Sequence, residues 1–162
     1  MELKELIPQK LKEKFPEVEF EVKEYRDELT ISFDKKNVID VCKFVKYDEQ
    51  LKFNYLEDVT AVDWARRKNR FTVVYQMFSI DNKMRLRLKA DVDESDLAID
   101  SVSSVWRAAD WYERETYDMF GIKFNNHPDL RRMYMPEDFE YHPLRKDFPL
   151  MGIPGSLPLP KK

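Results

Sequence analysis

The chain has 162 residues, 43% of them hydrophobic and 14% aromatic, which is enough for one ordinary domain with a single core. Its net charge of −3 lacks the basic excess that is typical of a dedicated nucleic-acid-binding domain. Cys42 is the only cysteine, so the sequence contains no thiolate set for an iron–sulfur cluster or a structural zinc ion. Buried free cysteine is common, and we interpret Cys42 as a core residue rather than a nucleophile.

No apolar run reaches the roughly 18 residues that a membrane-spanning helix needs. The charged N-terminal sequence MELKELIPQK is unlike a signal peptide. We therefore expect a soluble, cytoplasmic chain.

Hydrophobic periodicity predicts an α+β fold of two layers, in the order helix, two strands, helix, three strands and helix. A first helix ends before Pro16, and a hairpin with the turn Arg26-Asp27-Glu28 follows. The apolar residues of the hairpin alternate with polar ones, namely Val18, Phe20 and Val22, then Leu29, Ile31 and Phe33. A second helix starts at Asp34 as N-cap and is predicted to bury Val38, Val41, Cys42 and Val45.

Three further strands are predicted at 53–64, 71–80 and 84–90. The turns between them, Lys68-Asn69 and Asp81-Asn82, use asparagine for positive φ. The last strand directs Arg85, Arg87 and Lys89 to one side, which suits either a solvated face or a docking surface for an acidic partner.

The main helix is predicted to begin at Ser103 or Ser104 and to end at Gly121, in a left-handed Schellman cap with Ile122. Its packing stripe comprises Val105, Ala109, Tyr112, Thr116 and Met119. Four-residue spacing predicts an ion-pair ladder along one face, formed by Asp110, Arg114 and Asp118.

The C-terminal part is irregular, because all three glycines and seven of the nine prolines lie beyond residue 120. We predict a compact α+β domain at 1–121 and an extended, Pro-rich docking arm at 122–162. The interior cations of the arm are expected to pair with carboxylates of another protein, and they are Arg131, Arg132, Arg145 and Lys146. Exposed apolar residues are expected beside these cations.

Catalytic motifs are absent from the sequence. Glycine does not occur before Gly121, which excludes the usual nucleotide-binding loops. Glu113 and Glu115 are two residues apart on a helix and cannot flank one bond. His127 and His142 each precede proline but lack further ligands at a recognised spacing, which argues against a metal site. Nothing supports catalysis by this chain alone.

Two motifs resemble a known family. The segments IDSV (99–102), VW (105–106) and ADWYERETYDMFGIKFNNHPDLRR (109–132), together with HPLRKDFPL (142–150), closely resemble the signatures of the respiratory complex I 30 kDa subunit. This is the C subunit of NADH:quinone oxidoreductase, with homologues in membrane-bound hydrogenase and sulfur-reducing complexes. The resemblance marks an interface and structural signature at Glu113, Arg114, Glu115, Tyr117, Asp118, Gly121, His127, Pro128, Asp129, Arg131, Arg132, His142, Pro143, Arg145, Lys146 and Asp147.

The resemblance implies a non-catalytic subunit of the peripheral arm, on the cytoplasmic side of the cell membrane. It implies no cofactor in this chain and a location beside the large hydrogenase-like subunit. Iron–sulfur clusters, and NiFe or quinone, would belong to partner subunits. The terminal reaction stays open between quinone reduction, hydrogen evolution and sulfur reduction. Two departures are visible: Asn126 replaces a usual glycine, and the short ending favours a compact archaeal or hydrogenase-type complex.

Two other classes of function remain as alternatives. A free-standing enzyme would show activity or a tightly bound cofactor in the purified chain. A nucleic-acid-binding module is suggested by the basic strand face and tail, and it would show salt-sensitive binding.

Overall fold

The computed structural model describes residues 3–65 and 68–153, and these ranges contain three α-helices and seven strands. The helices are α1 (Leu3–Lys14), α2 (Val38–Tyr47) and α3 (Ala109–Phe120). The strands are β1 (Glu21–Tyr25), β2 (Glu28–Asp34), β3 (Tyr55–Asp63), β4 (Phe71–Ser79), β5 (Met84–Val92), β6 (Ala98–Asp100) and β7 (Lys123–Asn125). Within the described ranges, no helix is both long enough and apolar enough to span a bilayer.

Five strands form one sheet in the order β1-β2-β5-β4-β3. The predicted hairpin and the predicted β3-β4-β5 meander are both present as antiparallel pairs. β2 and β5 join these two units by a parallel pairing, which periodicity did not predict. β6 and β7 form a separate parallel pair, also unpredicted. The α+β fold class is confirmed.

The core lies between the helices and one face of the sheet. α1 contributes Ile7 and Leu11, and α2 contributes the predicted residues Val38, Val41, Cys42 and Val45, all fully buried. Alternate residues of the strands meet them, including Ile31 of β2 and Leu88 of β5. Burying a side chain of this kind stabilises the fold by about 1.5–3 kcal/mol. The two-layer arrangement therefore follows from the period-two and period-3.6 apolar patterns.

The first hairpin differs from the prediction in its limits. β1 begins at Glu21 rather than near Val18, and all five of its residues are exposed because it is the edge strand. The turn consists of Arg26 and Asp27 alone, with φ of 49° and 65°. Two left-handed residues match the twist of a tight hairpin, so Glu28 already belongs to β2.

The asparagines at the two later turns do not take positive φ, contrary to the prediction. Positive φ occurs instead at Ala65 and Lys83. Asn82 uses its side-chain amide to donate to the carbonyl oxygens of Gln50 and Leu51. Asn82 therefore ties the β4–β5 turn to the loop after α2.

The start of α3 was predicted too early. The helix begins at Ala109, and the preceding Ala108 makes no side-chain capping bond. Residues 102–106 form turns instead, in which Val102 accepts from the N–H groups of Val105 and Trp106. Tertiary contacts hold these turns, since the buried Trp106 donates its indole N–H to the carbonyl of Phe53.

The chain continues in the core beyond Gly121. Ile122 is fully buried and Phe124 is 2% exposed. Asn126 has φ of 60°, in the left-handed region that asparagine tolerates and glycine favours, so asparagine fits this position where the resemblance leads one to expect glycine. The first residues of the proposed arm are thus packed in the core, and the docking role of residues 122–162 stays a prediction.

Cys42 provides a test of the core. Burial, with a smaller contribution from the charge of Glu113, raises the pKa of its thiol. We expect a disulfide reagent at pH 8 to label the native chain at least ~100-fold more slowly than the urea-unfolded chain. Fast labelling of the native chain would show that α2 is not packed as described.

Candidate functional site

Two charged residues of helix α3, Arg114 and Asp118, bond to the arm rather than along the surface of the helix. Arg114 is buried and donates to the main-chain carbonyls of Arg131 and Arg132, at 3.2 and 3.3 Å. Asp118 is fully buried and also contacts the arm. The predicted ladder of Asp110, Arg114 and Asp118 is therefore wrong, because Arg114 and Asp118 bond to another segment instead of to their neighbours on the helix.

The carboxylate of Asp118 is the centre of this contact. Oδ2 accepts three consecutive main-chain N–H groups, from Met133, Tyr134 and Met135, at 2.7–3.0 Å. Oδ1 accepts from the guanidinium of Arg132 at 2.6 Å. Burial acts to raise the pKa of Asp118, but these four donors outweigh it and lower the pKa. The carboxylate stays charged and fixes the conformation of residues 132–135.

The C-terminus of α3 is capped by the second signature segment. The last four carbonyl groups of an α-helix have no partner within the helix. Here each one accepts a hydrogen bond: Tyr117 from Gly121 N–H at 2.8 Å, Asp118 from His142 Nδ1 at 2.9 Å, Met119 from Leu144 N–H at 3.1 Å, and Phe120 from Arg145 Nε at 2.6 Å. The cation of Arg145 also meets the negative end of the helix dipole.

Gly121 serves two purposes at this joint. Its φ of 77° places it in the predicted left-handed cap, although its bond to Tyr117 is the single bond of the αL motif rather than the Schellman pair. A Cβ at Gly121 would also lie 2.5 Å from Arg145 Nη2 and 2.6 Å from His142 Nε2. The absence of a side chain therefore makes room for the capping segment.

His142 acts here as a neutral donor. Burial lowers its pKa, and the nearby Arg145 and Arg132 charges lower it further, against the raising effect of the bond to Asp118. Nδ1 therefore carries the proton and donates to the Asp118 carbonyl. Its ring also packs edge-on against Tyr117, with centroids 6.3 Å apart.

A second attachment joins the arm to the sheet. Asp63, at the end of β3, accepts the main-chain N–H of Lys146 at 2.8 Å and two donors of Arg70. Arg70 in turn pairs with Asp147 at 3.1 Å and with Glu94 at 2.6 Å. Burial acts to raise the pKa of Asp63, but its donors, chiefly Arg70, lower it to about 2. The arm is thus held at both α3 and β3.

Glu113 lies in a buried polar cluster at the other end of α3. Its oxygens accept from Val102 N–H at 2.7 Å and from the Ser101 hydroxyl at 2.5 Å. The buried ring of His127 places Nε2 3.8 Å from Glu113 and 3.1 Å from the carbonyl of Asp110. Burial raises the pKa of Glu113 to about 7, although its two hydrogen bonds oppose this shift.

The tautomer of His127 follows from its neighbours. Nδ1 accepts the main-chain N–H of Asp129 at 3.0 Å, so the ring proton is on Nε2. That N–H faces the carbonyl oxygen of Asp110 and, at 3.2 Å, its carboxylate. His127 therefore holds the start of the arm against the first turn of α3.

The remaining residues of the predicted signature occupy the surface. Exposed side chains belong to Glu115, Pro128, Asp129, Arg131, Lys146 and Asp147, while Tyr117 and Pro143 are half-buried. Arg131 forms an exposed pair with Asp129 at 2.9 Å. Of the four cations expected to meet a partner, Arg132 and Arg145 bond within the chain, which leaves Arg131 and Lys146 accessible.

The buried residues of the signature make structural contacts within the chain. Glu113 is buried and Glu115 is exposed, so the two carboxylates lie on different sides of α3. No group of three or more potential metal ligands occurs among residues 3–65 and 68–153. His127 and His142 each bind a main-chain carbonyl of α3 instead of converging. These contacts hold the backbone of residues 127–147 in one conformation against α3 and β3.

Sequence reasoning missed Asp63 and Arg70. They lie about 80 residues from the arm in sequence, and no motif connects them to it. The signal that the sequence contains is a pair of opposite charges at the end of β3 and just before β4, which the pairing of Asp63 with Phe71 brings together. Such a signal predicts the pair of Asp63 and Arg70 but not the bond from the main-chain N–H of Lys146.

Comparison with known proteins gives a consistent result. The model of the family described as "Respiratory-chain NADH dehydrogenase, 30 Kd subunit" matches residues 31–154. The C subunit of the NADH-quinone oxidoreductase of Geobacter sulfurreducens is 53% identical over 144 residues, which cover 88% of both chains. The corresponding protein of Geobacter metallireducens is 51% identical, covering 92% of this chain and 91% of that one.

Two solved structures share the fold. The trypsin-resistant fragment of Nqo5 superposes with a TM-score of 0.65 at 26% identity, covering 78% of this chain and 98% of the fragment. A chain of the membrane-bound sulfane sulfur reductase, an archaeal respiratory membrane complex, gives a TM-score of 0.76 at 25% identity. That match covers 93% of this chain and 88% of the other.

Substitution of Gly121 tests the close approach of the capping segment. We expect Gly121→Ala to lower the free energy of unfolding by at least about 2 kcal/mol. Alanine is strained at positive φ, and its Cβ would displace the side chains of His142 and Arg145. Gly152→Ala is the matched control, because Gly152 has φ of 72° with no atom within 4 Å of a Cβ. If urea denaturation gave the same loss of unfolding free energy for Gly121→Ala and Gly152→Ala, displacement of His142 and Arg145 would have no energetic cost.

Substitution of Glu113 tests the buried cluster. The folded chain keeps a proton on Glu113 up to about pH 7, whereas the unfolded chain loses it near 4.5. The free energy of unfolding should therefore fall by on the order of 3 kcal/mol as the pH rises through this window. Glu113→Gln should remove most of that slope in urea titrations at pH 5 and 8. The exposed control Glu115→Gln should keep it, and a slope retained in Glu113→Gln would contradict the expectation.

Proposed function

Because the chain belongs to the family of the respiratory-chain NADH dehydrogenase 30 kDa subunit, we propose that it is a non-catalytic peripheral-arm subunit of a complex I-like, ion-translocating, membrane-bound oxidoreductase. The observation that carries this proposal is the use of the signature residues. Asp118, His142 and Arg145 all bond to the chain itself and fix the course of the arm. A family signature used in this way supports assembly rather than chemistry.

The arm and α3 present an apolar surface that suits docking. The large hydrophobic side chains exposed along residues 109–153 are Trp111, Tyr134, Tyr141, Leu144, Leu150 and Met151. These make up half of the large exposed hydrophobic residues in the described ranges. Exposed aromatic residues beside arginine are typical of binding hot spots. Arg131 and Lys146 add the positive charge that would meet carboxylates of the partner.

The partner best supported is the large hydrogenase-like subunit, of the 49 kDa type, with iron–sulfur subunits nearby. Iron–sulfur clusters and the quinone site would then belong to those subunits. Membrane association would occur only through the complex, on the cytoplasmic side. A division of labour into a body (1–121) and a docking arm (122–162) fits the exposed residues, with the anchoring by Asp63 and Asp118 keeping the arm in place.

Quinone reduction is the terminal reaction that the relatives favour. The relatives at 53% and 51% identity are both named as the C subunit of an NADH-quinone oxidoreductase. The chain from the sulfane sulfur reductase is 25% identical. We therefore propose a quinone-reducing complex for this chain rather than one of the compact archaeal or hydrogenase type.

The basic face of β5 does not support nucleic-acid binding. Arg85 pairs with Glu57 at 3.2 Å, and Arg87 pairs with Glu28 at 2.6 Å. The charges on this face are thus partly neutralised within the chain. No observation favours a free-standing enzyme over a subunit.

Co-purification tests the proposal. A tagged chain should retain the large subunit and iron–sulfur subunits from detergent-solubilised membranes, and Trp111→Ala with Arg131→Glu should reduce their recovery at least ~10-fold. The matched control is Tyr47→Ala with Lys14→Glu. Tyr47 is an exposed aromatic residue with Lys46 over its ring, as Trp111 has Arg114, and Lys14 is an exposed cation of α1. Recovery of no oxidoreductase subunit with the unsubstituted chain would refute the proposed function.

A further inference from the structure

A groove of about 550 Å³ separates the end of β3 from the arm. Its lining includes Ala61, Val62 and Trp64 from the β3 side, Phe120 from α3, and Leu144 and Lys146 from the arm. We call it the Trp64–Leu144 groove. It lies beside the second attachment, where Lys146 N–H binds Asp63. The groove therefore exists only when the arm is seated on the body.

The two apolar walls of the groove are fixed in position. The main-chain N–H of Leu144 donates to the carbonyl of Met119, and the N–H of Lys146 donates to Asp63. The side chain of Leu144 is nevertheless 54% exposed. Trp64 is 40% exposed while its indole N–H bonds to Thr72 Oγ1 at 2.9 Å. The main chain thus holds two large apolar side chains partly in solvent. A preformed apolar site of this kind costs little conformational entropy on binding.

The accessible charge at the groove is positive. Asp63 lines it, but both of its oxygens already accept hydrogen bonds, from Arg70, Ala65 N–H and Lys146 N–H. Its side chain is fully buried. Lys146 is exposed, and its ammonium group forms no ion pair with a carboxylate of the described residues. A carboxylate from outside would complement it.

We propose that the Trp64–Leu144 groove receives a hydrophobic side chain of the large partner subunit, with a neighbouring carboxylate that pairs with Lys146. This inference rests on the proposed function and extends the docking surface from the arm onto β3. The partner then contacts the body and the arm together, across the bond between Asp63 and Lys146. Binding therefore selects chains whose arm is correctly seated, because the two walls are otherwise separate.

Leu144→Ser tests the apolar contact in the assembled complex. The substitution keeps the main-chain bond to Met119, so the isolated chain should keep its thermal unfolding midpoint. Recovery of the large subunit should fall roughly 10-fold. Two controls remove exposed apolar residues that lie outside both the groove and the proposed docking surface, Ile80→Ser and Val22→Ser. Equal recovery with Leu144→Ser and Ile80→Ser would overturn the inference.

Photo-crosslinking identifies the occupant. A photoreactive amino acid at Val62, in the full complex, should form an adduct with the large subunit at a hydrophobic residue next to Asp or Glu. Lys146→Glu should then lower recovery, and a charge reversal of that acidic residue should restore it. Adducts with a second copy of this chain, adducts with its own residues 154–162, or the absence of any adduct would each overturn the inference.

These results separate the two proposals. If the unsubstituted chain recovers no large subunit, the proposed function itself is wrong. If recovery is normal but Leu144→Ser has no effect, the proposed function stands and the groove is not part of the interface.

Discussion

The buried carboxylate of Asp118 is the constraint on which the C-terminal half of the molecule depends. A charge placed inside a protein is tolerated only where hydrogen bonds and a counter-charge replace water. Three successive N–H groups and Arg132 meet this need, and all of them come from one short segment of the arm. If that segment left α3, the carboxylate of Asp118 would lose its hydrogen bonds and its counter-charge. Helix α3 and the arm therefore form one structural unit.

The need to satisfy the end of α3 explains why the signature is rich in charged and histidine residues that make structural contacts. The end of α3 requires four donors, and Gly121, His142, Leu144 and Arg145 provide them. A histidine committed to a helix carbonyl, with its pKa lowered by burial, is a poor candidate for proton transfer to a substrate. The residues that remain available to a partner are the apolar and cationic ones next to the anchors.

Anchoring at two places supports the proposed docking role of the arm. Asp118 holds it to the helix, and Asp63 holds it to the sheet. Irregular segments normally lose conformational entropy when they bind, which weakens the complex. Here the chain's own contacts hold residues 127–147 in place, so exposed side chains such as Tyr141 and Leu144 are already positioned for the proposed partner.

The sequence by itself determined the α+β class, the α2 core face, the β3-β4-β5 meander and the left-handed Gly121, because each depends on local periodicity or on one residue's backbone freedom. Only the tertiary structure decided the parallel pairing of β2 with β5, the start of α3 at Ala109 and the partners of its charged residues. Four-residue spacing predicted a surface ladder for Arg114 and Asp118, since spacing records which residues share a helix face but not what covers that face. Asp63 and Lys146 meet across 83 residues of chain, a contact that strand order and the course of the arm create and no local pattern contains.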